Sequence, residues 1–160
     1  MLAANDEIIG SGNKLIDAGT EHWRRLAGGR TMPRRDEFDP MQIPRLLPYA
    51  ILLEILRAPL DFQYRVAGQH IVENFGISPI RRTTSELAAE NPSIARFIDN
   101  FRTCVETRAP VVIEDSFVGA DNQGKRTIGA ILPLSDGAGN VSHLLAFSVF
   151  LSHDGTPISY

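Results

Sequence analysis

The sequence has one cysteine, one tryptophan and no apolar run near the roughly 20 residues that a membrane-spanning helix needs. Each shortage removes a class of protein. A single thiol, Cys104, can form neither an internal disulfide nor a multi-cysteine zinc site. The opening "MLAANDEIIGSGNK" has no basic leader followed by an apolar block, so it does not read as a secretory signal, and a cytoplasmic location is expected. Charge of one sign is also missing: the net charge is −3 and the sequence pI about 5.8. Nothing global calls for a nucleic-acid or membrane partner, and neither is expected. The local exception is Arg24, Arg25, Arg30, Arg34 and Arg35. With no aromatics interleaved, they read as a solvated helix end and loop rather than a phosphate-binding patch.

What is present is enough apolar material, 43% of 160 residues, for one domain with a sizeable core. Residues 5–27 predict a helix. Ile9, Gly12, Ile16, Gly19, Trp23 and Leu26 recur at spacings of three and four and form one narrow stripe. Glycine weakens a helix by about 1 kcal/mol, so two on the stripe imply close approach by another surface. That surface is either the protein's own sheet or a second copy of the helix. A proline- and charge-rich loop follows to Pro48, with a helical turn expected after Asp39-Pro40.

"YAILLEI" and "DFQYRVAG" read as two strands. In the second, Phe62, Tyr64 and Val66 alternate with Gln63 and Arg65. "QHIVENFG" reads as a short helix, and Thr83 with Glu86 has capping-box spacing for another. Asn91-Pro92 opens the clearest helix, with Ile94, Phe97, Ile98, Phe101 and Val105 on one face. "VVIEDSFV", "RTIGAILPL" and "VSHLLAFSVFL", separated by turn-rich segments, predict an antiparallel three-strand meander. The last strand is apolar on both faces, so the sheet needs two covers. The short helices supply one; the N-terminal helix or a partner molecule supplies the other.

The ordered trio "MPRRDEFDPMQIPRLLPYAILLEI", "DFQYRVAGQHIVENFG" and "ILPLSDGAGNV" resembles a bacterial PAS-like family of small, often stand-alone proteins. It departs from that pattern at Thr127-Ile128-Gly129-Ala130, where the family tends to carry a charge. The resemblance implies an α+β fold: a five-stranded antiparallel sheet with short helices over one face and an N-terminal helix. The expected division is a helix in residues 1–30, the PAS-like domain in 31–154 and a tail in 155–160. The resemblance also implies a small cavity under the helices, with Phe62, Tyr64, Phe75, Phe97 and Phe101 as candidate lining. Core packing alone would bury the same residues.

Other chemistry finds less in the residues. "GADNQGKRT" lacks the hydroxyl and the helix that a phosphate loop requires, and reads as a hairpin turn; "GSGNKL" lacks the third glycine of a dinucleotide site. His70 and Glu73, three apart, read as a surface helix pair, and His22 as exposed. The longer helix has no histidine for haem. Cys104 reads as a buried hydrophobe, and Phe101-Arg102-Thr103-Cys104 does not match the asparagine-cysteine-arginine run of flavin-binding light sensors.

The sequence therefore predicts a non-enzymatic sensory or signalling module. It binds a small molecule or a signalling protein and forms a homodimer through Ile9, Ile16 and Trp23. The ligand and any cofactor are left unnamed. The alternative is a small α+β-cone enzyme, isomerase- or hydrolase-like, with Asp115, Tyr64 and His70 as its working groups.

Overall fold

Asn13 caps the first helix, its side-chain oxygen accepting from the backbone N–H of Leu15 and Ile16. Helix α1 runs Lys14–Ala27 and ends at Gly28, left-handed at φ 58. This computed structural model describes residues 12–119 and 123–152. Most of the predicted stretch 5–13, including Ile9, lies outside the described residues, and α1 begins at Lys14 rather than at residue 5.

The proline-rich loop contributes single helical turns, one of them Pro40–Gln42, capped by Asp39. It also adds Met32, Phe38, Ile43 and Leu46 to the core. Strands β1 (Ala50–Leu56) and β2 (Asp61–Ala67) follow. Then come the short helices α2 (Gln69–Phe75) and α3 (Thr84–Glu90), the latter capped by Thr83. Helix α4 (Ala95–Thr107) comes after a turn at Pro92–Ile94. Strands β3 (Val111–Val118), β4 (Gly124–Ser135) and β5 (Val141–Leu151) complete the described elements. All neighbours in the sheet are antiparallel, in the order β2-β1-β5-β4-β3.

Register sorts the residues into two faces. Ile51 pairs with Ala146, Ala146 with Ile131, and Gly129 with both Ser148 and Ile113; these look toward α2, α3 and α4. Leu52, Leu145 and Leu132 pair across the other face, as do Ala50, Phe147 and Ala130. A register shift opposite Leu52/Leu53 leaves Arg65 unpaired and sets Val66 against Leu52. This bulge takes Val66 off the face of Tyr64, against the simple alternation predicted.

Helix α1 covers the second face, packing on β4 and β5. Ile16 and Trp23 are fully buried there, and Trp23 Nε1 donates to the Pro133 carbonyl at 2.8 Å. Of the two surfaces expected to meet the stripe, the protein's own sheet is the one it packs on. Ile16 and Trp23, also named for a homodimer, do not reach the surface while α1 stays docked.

Candidate ligand site

The inner face of the sheet and the helices above it enclose a continuous set of aromatic rings. Phe62 of β2 meets Phe101 of α4 at 5.3 Å between centroids. Phe75, at the end of α2, stacks on Phe117 of β3 at 5.7 Å and lies edge-on to Tyr64 at 6.2 Å. Phe117 also stacks on Phe97 of α4 at 5.9 Å and touches Phe150 of β5 at 4.9 Å. Such pairs add about 0.5–1.5 kcal/mol beyond the area they bury, so the cluster is a structural core as well as a candidate site.

Between the rings remains a cavity of about 10 Å³, lined by Tyr64, Phe75, Phe97, Phe101, Ser148 and Phe150 with aliphatic side chains of β1, β3 and β4. That is room for at most one water. Four of the five residues named from the sequence line it. Phe62 does not; it backs Phe101. Phe150 lines the cavity and was not named from the sequence; Phe117, also not named, stands behind the lining, stacked on Phe75 and Phe97. Gly129 has room for no side chain: a β-carbon there would lie 2.8 Å from the Phe147 carbonyl oxygen, 3.0 Å from Ser148 Oγ and 3.2 Å from Ile113 Cγ1.

No lining residue carries a charge. The Tyr64 hydroxyl is buried and makes no hydrogen bond of normal length, the Thr84 side chain being its polar neighbour; Thr127 Oγ1, on the same face of the sheet, has no partner. Burial pushes the Tyr64 phenol above its usual range, the Thr84 side chain opposing and Asp61 assisting, so it stays neutral. Unpaired polar atoms in an apolar interior cost about 1–3 kcal/mol each. A guest able to hydrogen-bond to Tyr64 would relieve one of them.

Beside the cavity a polar strut ties α2 to the sheet. His70 is 8% exposed, and its Nε2 accepts the backbone N–H of Phe150 at 3.0 Å. Asn74 Nδ2 donates to the His70 carbonyl, and its Oδ1 accepts from the buried ammonium of Lys125 at 3.1 Å. His70 is therefore not half of a surface pair with Glu73, which accepts from Gln69 instead. Burial holds the His70 pKa below its usual value; Glu73 opposes this and Lys125 reinforces it.

The enzyme constellation does not assemble. Asp115 pairs with Arg96 of α4 at 3.0 Å, His70 is engaged by Phe150, and Tyr64 touches neither through a hydrogen bond. His22, expected to be exposed, is half-buried against Phe38. Among the described residues no three His, Cys, Asp or Glu side chains group to hold a metal, and no helix is long and apolar enough to cross a membrane. Arg30 and Arg34 bind Glu37 and Asp36, as a solvated loop should.

The sequence profile of the PAS domain family matches residues 14–146. The chain belongs to the PAS domain family. Solved structures agree at the level of fold. A light-oxygen-voltage domain studied with a flavin analogue superposes with a TM-score of 0.53 at 16% identity, covering 71% of this chain and 84% of that one. VqmA of Vibrio cholerae in a ligand–DNA complex gives 0.53 at 22% identity, over 69% of this chain and 49% of that one. An RNA-binding light-oxygen-voltage receptor gives 0.51 at 18% identity, over 74% and 35%. The PAS chain thus spans about half the length of VqmA and about a third of that receptor. No curated protein matches the chain.

These neighbours correct one expectation. Overall charge was read as excluding a nucleic-acid partner, yet proteins of this fold include one solved with DNA and one described as RNA-binding. Charge on a PAS domain therefore does not exclude a role in nucleic-acid-binding proteins. A flavin, by contrast, does not fit the residues present. Pockets for ligands of such size span about 300–1,000 Å³, far above the about 10 Å³ here. Cys104 is fully buried with its Sγ 3.6 Å from the Ile131 carbonyl, and burial pushes its thiol pKa up.

Proposed function

We propose that this PAS domain is a non-enzymatic sensory module that takes a small neutral molecule into its aromatic core and relays occupancy to a partner. The observation that carries the reading is a ring-lined cavity without a charge among its described lining residues, one of which, Tyr64, has a buried hydroxyl that makes no hydrogen bond of normal length. A polar atom kept buried without a partner suits a site whose partner arrives from outside. The relay runs through β5, whose alternate residues line the cavity (Ala146, Ser148, Phe150) and lie under α1 (Phe147). A shift of β5 on one face is felt by α1 on the other, as two-sided packing requires. VqmA, a structural neighbour, has been solved bound to DPO and as a dimer, in keeping with a ligand-bearing, self-associating module. A second copy of the present chain would meet the exposed side of α1 or the solvent-facing side of β3, where Val112 and Val118 are exposed.

One observation favours a second reading. The cavity is nearly filled by the protein's own rings, as in a docking module that binds nothing small. Native mass spectrometry against the denatured mass separates the two. An excess mass released on denaturation supports the sensory reading; a clean apo mass from protein purified from its own host, with no ligand picked up from the host's extract, supports docking.

A further inference from the structure

A groove of about 520 Å³ opens on the surface between α2, α3 and the end of β3, lined by Ile77, Leu87, Asn91, Ile94 and Val118 among others. Phe75 lines this groove and also lines the central cavity; among the described residues no other is shared. It is the last residue of α2, followed by Gly76 in the left-handed conformation at φ 80. On one side of its ring lie Tyr64, Phe117 and Phe150; on the other lies the groove, whose walls include the apolar Leu87, Ile94 and Val118 together with Glu90, Asn91 and Ser93.

Resting on the sensory reading above, we infer that Phe75 is an internal stand-in for the ligand: the ligand enters by displacing this ring into the groove, and is a neutral molecule of one aromatic ring carrying a hydrogen-bonding group. The size follows from the exchange. With about 10 Å³ free in an interior packed as closely as a crystal, a guest occupies what one side chain vacates, and Phe75 vacates one ring. The direction follows from the lining. The other rings are held between helix and sheet, whereas Phe75 has apolar surface to move onto, against Leu87 and Ile94. The charge follows from the absence of any ionised lining group, since a buried ion without a partner is strongly disfavoured. The polar group is set by Tyr64, whose ring meets that of Phe75 edge-on and whose buried hydroxyl makes no hydrogen bond of normal length, and by Ser148 in the same cavity wall.

Calorimetric titration with phenol, toluene and benzoate tests this on the wild type, Phe75→Ala and the milder Phe75→Leu, which keeps an apolar side chain should the alanine variant fold poorly. Phenol is expected to bind the wild type weakly and the Phe75 variants at least tenfold more tightly. It should bind better than toluene, an advantage lost when Tyr64→Phe is added, and benzoate should give no binding. In the phenol-bound wild type, NMR contacts of the Phe75 ring should pass from Tyr64 and Phe117 to Leu87 and Ile94. Phenol affinity unchanged by the Phe75 substitutions, benzoate binding as well as phenol, or a Phe75 ring that keeps its contacts when phenol is bound would each overturn the exchange. A native ligand found by mass spectrometry together with any of these results would leave the sensory reading standing and remove Phe75 from it.

Discussion

The ring of Phe147 stands where a side chain on Gly19 would begin. A β-carbon built on Gly19 would lie 2.6 Å from Phe147 Cε2 and 2.8 Å from Cγ, separations that bonded structures alone tolerate. Helix α1 therefore lies close to the sheet because residue 19 has no side chain. The glycine that weakens the helix in isolation lets it dock, and the burial of Ile16 and Trp23 on either side returns about 1.5–3 kcal/mol per large apolar side chain.

Gly19→Ala should accordingly destabilise the protein, although alanine favours the helix by about 1 kcal/mol. Forcing a methyl group against a packed ring costs about 1–3 kcal/mol, so the net loss should be on the order of 1 kcal/mol. The pair should also be coupled. Phe147→Leu alone opens a cavity, but combined with Gly19→Ala it should lose less than the sum of the two changes. Urea midpoints of the four proteins give the coupling directly. Strict additivity would mean that helix and ring do not meet as described.

Ile16→Asp separates a docked helix from a dimerisation helix. Were the stripe an interface between copies, aspartate would yield folded monomers. Because Ile16 is fully buried within one chain, an unpaired carboxylate there should cost several kcal/mol and unfold or undock α1. Circular dichroism should show lost helix and a lower melting temperature, whatever the sedimentation coefficient does. A folded variant of unchanged stability and halved mass would restore the interface reading.

Much of this fold was legible because local signals agreed with one another. Thr83 at its cap, Gly76 after α2 and the two-sided apolar pattern of β5 each marked an element correctly. What no local signal carries is which distant surface meets which. The stripe of α1 required a close neighbour, but nothing near residue 19 says that the neighbour is Phe147 of the same chain rather than a second copy. His70 shows the same limit. Its spacing from Glu73 suggested a surface pair, yet α2 is pressed inward at its start. A β-carbon on Gly68 would strike the carbonyls of Leu47 and Pro48, and Gly68 N–H bonds Ala50 at 2.8 Å. The "LLP" and "AG" segments that carry the family likeness thus meet in space, and their meeting buries His70. The aromatic lining was named from β2 and the helices alone. Phe150 of the cavity wall and Phe117 behind it escaped because pairing across three strands, not spacing within one, brings them to the same aromatic cluster.

His70 also makes stability depend on pH in a stated direction. Its neutral ring accepts the Phe150 N–H through Nε2, a role that protonation abolishes, and burial lowers its folded pKa from the usual 6.5, with Glu73 opposing and Lys125 assisting. The unfolded chain therefore binds a proton more readily than the folded one below about pH 6.5. Stability should be full above that pH, fall as the pH drops below it, and level off once the folded pKa is passed. His22 and His143, both lowered chiefly by burial, contribute in the same direction, so the test is a difference. Urea midpoints between pH 7.5 and 5.5 should fall for the wild type and fall less for His70→Gln, which has no proton to gain. Glu37 stays ionised across that window, since its contacts with Arg30 and Arg34 hold it at about 2. A His70→Gln protein with the full wild-type slope would show that the Phe150 N–H is not held by a titrating imidazole, and the strut between α2 and β5 would need another acceptor.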